Sequence, residues 1–137
     1  MADLTITAAN VAPDAGYTFR DVIAGATITA GQPVYLDATD SNKAKLADND
    51  ASASTAYAIG VALHAALNTQ PLRVITGGTY THGGSSTTAL IYVVSATAGG
   101  IAPAADLASG KYTTVLGVAI SATKIKLNIF PSNVAQA

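Results

Sequence analysis

The chain is predicted to be all-β: a small β-barrel or β-sandwich built from a duplicated strand unit, with an extended N-terminal arm. Three observations carry this. A stretch recurs, since "AIGVALHA" (58–65) is matched by "VLGVAISA" (115–122). Short segments alternate apolar and polar residues with the period of a strand. Glycine- and proline-rich turns punctuate the chain at roughly ten-residue spacing, as sandwiches and small barrels require.

The repeat extends beyond eight residues. Tyr35 in "PVYLD" stands 25 positions before Gly60, and Tyr92 in "LIYVV" stands 25 positions before Gly117. "LRVI" (72–75) follows the first copy and "KIKLNIF" (124–130) the second. Each unit reads as an apolar-Tyr-apolar strand, a variable loop, a Gly-Val-Ala strand and a closing strand. The units span about 31–78 and 88–131, within a β domain of 31–137. Tyr35 is expected to match Tyr92, and Gly60 to match Gly117.

One segment needs arbitration. "ASASTAYAIGVALHAAL" (51–67) is Ala-rich, and propensity alone favours helix. Its partner copy is rich in Thr, Val and Ile, which prefer strands, so the β reading is taken for both. The clearest strand is Lys124 to Phe130, with Ile125, Leu127 and Ile129 on one face and Lys124, Lys126 and Asn128 on the other. "LTITA" (4–8) alternates similarly.

Residues 1–30 have no counterpart in either unit and read as the arm. Their apolar residues come in isolated pieces, Leu4/Ile6, Tyr17/Phe19 and Val22/Ile23, between turn formers. Two readings stand side by side and do not exclude each other. The arm adds a strand to a sheet edge on another subunit or protein, or it supplies the first strands of its own domain. On the first reading Leu4, Ile6, Tyr17, Phe19, Val22 and Ile23 make the partner contact, and removing residues 2–24 leaves a folded domain. On the second, contact falls to loops such as Thr79 to Ser86.

Composition narrows the function. Charged residues make up 11% of the 137, and all eight acidic residues are Asp. That is less than half the usual charged share, which suits a surface covered in an assembly; a Thr- and Ser-rich neutral surface is the plainer alternative. The seven basic residues are scattered and the net charge is −1, so no stripe exists to neutralise phosphates, and no nucleic acid is expected. Without cysteine, disulfides and thiolate metal sites are impossible. The start lacks the basic and apolar regions of a signal peptide. The longest nearly apolar run (56–67) is too short to span a bilayer. A soluble protein made in the cytoplasm, with no membrane partner, is expected.

Catalytic motifs do not emerge. There is no G-x-S-x-G elbow. Asp48 and Asp50, two apart in "ADNDAS", read as turn formers rather than a carboxylate pair. "DATDSNK" (37–43) lacks the glycine and terminal Glu of a calcium loop. The Gly pairs lack the Lys-Ser/Thr of a phosphate cradle. His64 falls where the second copy has Ser121, a structural polar position, and His82 falls in a Gly-rich loop. No enzyme, cofactor or metal is expected.

With these residues in view, the chain resembles the capsid cement, or decoration, proteins of tailed bacteriophages. One large group of these reads as two rounds of "G-D-x-V-Y/V-L … I-G-V-A … V-x-V". Here the rounds look like "AGQPVYLD … AIGVALHAALNTQPLRVITGG" and "TALIYVVS … VLGVAISATKIKLNI", over about residues 25–130. Gln32 stands where the family usually has Asp, and the second round has no Gly before its strand. The resemblance implies a homotrimer on the outer surface of the virion that clamps neighbouring major capsid proteins. The alternatives are another virion fibre or tail-associated β protein, or a carbohydrate-binding adhesive domain. The last is disfavoured by the lack of Trp and the dispersal of the six Tyr.

Overall fold

The computed structural model describes residues 3–136, so Met1, Ala2 and Ala137, at the ends of the expected arm and domain, lie outside it. Among the described residues ten strands make one curled, half-barrel sheet, and the fold is all-β, with 46% strand and 10% helix. The strands are β1 (Ala12–Pro13), β2 (Thr18–Ile23), β3 (Pro33–Asp37), β4 (Lys43–Leu46), β5 (Gly60–Ala62), β6 (Pro71–Thr81), β7 (Ile91–Val94), β8 (Ile101–Pro103), β9 (Tyr112–Ala119) and β10 (Lys124–Ala135). Their order is β4-β3-β5-β6-β10-β9-β7-β8, with β1 and β2 laid against β6.

That order contains one arrangement twice. β4-β3-β5-β6 and β8-β7-β9-β10 have the same connectivity, and they meet where β6 pairs antiparallel with β10. Gly60 lies opposite Val34, and Gly117 opposite Tyr92. Both glycines are buried, and each passes under a carbonyl of the next strand, Ile75 for Gly60 and Lys126 for Gly117. A glycine inside a strand marks such a close backbone approach.

The tyrosines are not in equivalent register. Across the glycine, the counterpart of Tyr92 is Val34, not Tyr35. A one-residue shift turns a side chain to the other face of a sheet. Both tyrosines nevertheless reach the same core, because the second unit presents its glycine-bearing face to that core and the first unit its opposite face. Tyr92, Ala119, Ile125 and Leu127 thus join Val61, Ile75 and Tyr80 in the first apolar cluster, with Tyr35 packed against it. Val34, Ala62, Leu72 and Val74 face the other way, into a second cluster with Ala24, Ile28 and Ala44. The first unit is therefore buried on both faces and the second chiefly on one.

The β expectation for 51–67 holds only at Gly60–Ala62, with an isolated bridge at Ala66. Ala53–Ala56 form a one-turn helix, α1, and only Gly60–Ala62 are strand. Ser52 explains the start. Its Oγ accepts from the Thr55 N–H at 3.2 Å, while its own N–H donates to Thr55 Oγ1 at 3.1 Å. This reciprocal capping box satisfies two amides that the first turn leaves open. The local cap wins here, and the turn packs against β3, β9 and β10 without joining their ladders.

The segment before Gly31 is extended and docks on its own domain, the second of the two readings. β1 pairs with the C-terminal part of β6 and β2 with its N-terminal part. Leu4 is buried in the first cluster, and its N–H donates to the Ile101 carbonyl at 2.7 Å. Ala24 and Ile28 are fully buried in the second cluster.

Candidate interaction surfaces

Of the six residues assigned to partner contact, the structure leaves two open. Leu4 is buried; Ile6 and Tyr17 pack half-buried on the first cluster, and Val22 on the second. Phe19 and Ile23 are exposed, at 48% and 43%. They point to one face of β2 because strand residues alternate. Phe19 lies under the Arg73 guanidinium, 3.9 Å from its ring centre, with the Tyr17 ring 5.8 Å away. Arg73 also grips Asp21 with both arms, Nε to Oδ1 at 2.8 Å and Nη2 to Oδ2 at 3.1 Å. That fork holds the Asp21 carboxyl below its ordinary range and pushes Arg73 up. Tyr17, Phe19, Asp21 and Arg73 thus form an ordered surface patch.

The other face of β2 opens on a groove of about 500 Å³ lined by Arg20, Leu36, Tyr57, Ile59 and Asn133. A second apolar surface lies on the outer face of the second unit. Ile91, Val118 and Ile120 are 46%, 39% and 50% exposed around a shallow recess of about 340 Å³ with Lys126 at its side. Sequence reasoning assigned none of these residues to contact. The signal was present: "LIYVV" is apolar at every position, so one of its two faces has to look outward unless a second layer covers it.

The Thr79–Ser86 stretch is not a free loop. Thr79–Thr81 belong to β6, and His82 and Ser86 are buried. Gly84 N–H donates to His82 Nδ1 at 3.0 Å, so the ring proton sits on Nε2 and is directed to Ser86 Oγ at 2.9 Å. Ser86 in turn donates to the Ser121 carbonyl at 2.8 Å. In this wiring the histidine gives a proton to the serine rather than withdrawing one, the reverse of an activated nucleophile. The clip fastens this segment to the turn at 121–123, which also takes the His82 N–H on the Thr123 carbonyl. The N-terminal segment rests on it, for Gly84 packs directly beneath the Thr5 carbonyl.

Burial pushes the His82 imidazole below its ordinary value near 6.5. The neutral ring is therefore favoured in the folded state, while an unfolded chain takes up a proton as pH falls past 6.5. The resulting stability is complete above pH 6.5 and is lost as pH drops from there toward the lowered native value. Melting temperature should fall between pH 7 and 5, and His82→Gln, which keeps a donor and an acceptor, should flatten that slope.

The remaining chemical candidates have structural work. His64 is exposed; its Nδ1 bonds the Ala65 carbonyl at 2.9 Å and its Nε2 accepts the Arg73 N–H at 3.0 Å, closing a sheet end. Asp48 accepts from the N–H groups of Asp50 and Ala51, and Asp50 pairs with Lys111. Asp37 faces Lys45 at 2.7 Å and is held down at about 2 by that ammonium and by Thr39. Among the described residues, no three His, Cys, Asp or Glu side chains cluster as a metal site would require, and no helix is long and apolar enough to cross a membrane. Among the same residues Tyr80 Oη is buried with no hydrogen-bond partner, and burial pushes the phenol up.

No protein-family model matches the chain, and no curated protein matches it.

Proposed function

We propose that the chain is a virion structural protein of the decoration, or cement, class, which binds the outside of a phage head and holds neighbouring major capsid proteins together. The observation that supports this most directly is the surface. It carries few charges and leaves Phe19, Ile23, Ile91, Val118 and Ile120 open on separate parts of the sheet. Contiguous apolar patches such as that of Ile91, Val118 and Ile120 mark surfaces that are covered in an assembly. The sequence resemblance over residues 25–130 gives the assembly its identity.

The physical task is modest and additive. A protein that binds the assembled shell but not loose subunits stabilises the shell by mass action, by about 2.7 kcal/mol per site at a hundredfold excess over its dissociation constant. Repeated over a capsid, that resists internal pressure without any chemistry. A trimer spanning three capsid subunits would use the separate apolar surfaces at once, some toward its own copies and some toward the shell.

Copy number is the test. Quantitative mass spectrometry of virions from the phage that encodes the chain should find it at a level comparable to the major capsid protein. A few copies per particle would overturn the proposal in favour of a fibre or tail component.

A further inference from the structure

The sheet's edges are not equally protected. β4 is met by the chain's own Ala24–Gly25, where Gly25 N–H donates to the Ala44 carbonyl at 2.8 Å. β8 is met by Leu4 through the Ile101 carbonyl. β2 pairs with β6 along one side, and on its other side β4 meets only the C-terminal end of the strand, at Ala24 and Gly25. Ala24 N–H donates to the Gln70 carbonyl at the β6 side, so the alternation of the strand turns Val22 and Arg20 toward β6 as well. The peptide groups of Phe19 and Asp21 then face the open side, where no other described strand pairs with them. An open strand edge is a template for another extended chain.

A separate observation says which chain. The Arg20 side chain is exposed on this edge strand and makes no hydrogen bond or ion pair among the described residues. The carboxylates of Asp14, Asp21 and Asp50 each face a Lys or Arg of their own, while Asp37 and Asp40 share Lys45 and Asp40 also lies near Lys43. Arg20 also lines the groove formed with Leu36, Tyr57 and Ile59.

A second copy of the same strand fits poorly. Two-fold antiparallel pairing keeps each residue on its face, so the registers with greatest overlap set Arg20 against Arg20 or Asp21 against Asp21. Like charges directly opposite destabilise a strand pair.

We propose that the open edge of β2 accepts an extended, carboxylate-bearing segment of a different protein. The incoming strand pairs with the peptide groups of Phe19 and Asp21 and sets its carboxylate beside Arg20. Two residues along the same face, it seats an apolar side chain over Leu36, Tyr57 and Ile59. This names a contact chemistry and does not depend on the decoration reading, so copy number and peptide binding can fail separately.

The probe is a capped seven-residue peptide with valine, glutamate and valine on one face and threonine on the other, added at millimolar concentration to ¹⁵N-labelled full-length protein. In the free protein the Phe19 and Asp21 amides should exchange rapidly, and bound peptide should slow them. Arg20→Glu should weaken the glutamate peptide about tenfold or more, the loss of one charge-assisted contact, and should favour a lysine version instead. Four results would each overturn the proposal: no shifts at millimolar peptide; shifts centred away from β2 and the groove; equal affinity of Arg20→Glu for the glutamate peptide; or protection of Phe19 and Asp21 without peptide. Should that protection rise with protein concentration, the occupant is a second copy.

Discussion

Gly60→Val and Gly117→Val should each abolish or severely lower the cooperative thermal transition, at a cost of roughly 3 kcal/mol or more. A Cβ at Gly60 would overlap the Ile75 carbonyl oxygen, and one at Gly117 the Lys126 carbonyl oxygen. Neither obstacle is the movable end of a side chain. Each is backbone held in a neighbouring strand, so relief requires the strands to separate and their ladder bonds to stretch. Gly117 should be the more sensitive, because the atoms crowding it are all backbone, whereas Gly60 also meets a Val74 methyl. Thermal melts of the two variants, with Ala in place of Val as the milder series, provide the check. A well-tolerated Val at either site would mean that the two glycines do not hold matching positions.

Removing residues 2–24 should unfold the domain, the opposite of what a detachable arm would do. The deletion takes away β1, β2, the buried Leu4 and the buried Ala24, and it strips one side of β6 along nearly its whole length. Burying one large aliphatic side chain is worth about 1.5–3 kcal/mol, and Leu4 and Val22 are both involved. The lost ladder comes in addition, against a total stability of about 5–15 kcal/mol for a typical domain. Far-UV dichroism should lose its sheet signal, or the protein should become insoluble through the exposed edge of β6. A truncated chain that melts cooperatively near the full-length temperature would restore the arm as a separate element. Contact with a partner is therefore better tested by single exposed residues such as Phe19 than by deletion.

The arm shows where sequence reasoning stops. Isolated apolar pairs such as Leu4/Ile6 reveal that a segment is extended and half-covered, because period-2 alternation is local. They do not reveal what covers it. Ile101, which meets Leu4, lies far along the chain, and nothing within a few residues of either one encodes the meeting. The candidate surface was half visible for the same reason. Phe19 and Ile23 sit in a segment chosen for its lack of a counterpart. Arg20 and Tyr57, which share a groove, come from unrelated stretches. Arg20 reads as one of several scattered cations in the sequence; the ion pairs of Lys43, Lys45, Arg73, Lys111 and Lys124 leave it and Lys126 as the ones without a carboxylate among the described residues.

By itself the sequence determined that the chain is all-β, that "GVA" occurs twice in like surroundings, which face of Lys124–Phe130 is apolar, and where turns such as those at Gly16, Gly31 and Gly99 fall, although the Gly77-Gly78 pair, which also reads as a turn, lies inside β6. These are local properties, written in the alternation of neighbouring side chains and in the backbone freedom of Gly and Pro. Tertiary structure alone decided that the two units join through β6 and β10, that they turn opposite faces to one core, and that Tyr92 therefore aligns with Val34. It also decided that, among the described residues, β2 keeps unpaired peptide groups at Phe19 and Asp21. Each of those depends on pairing between residues distant in sequence, where a shift of one position reverses a strand's faces without changing its pattern.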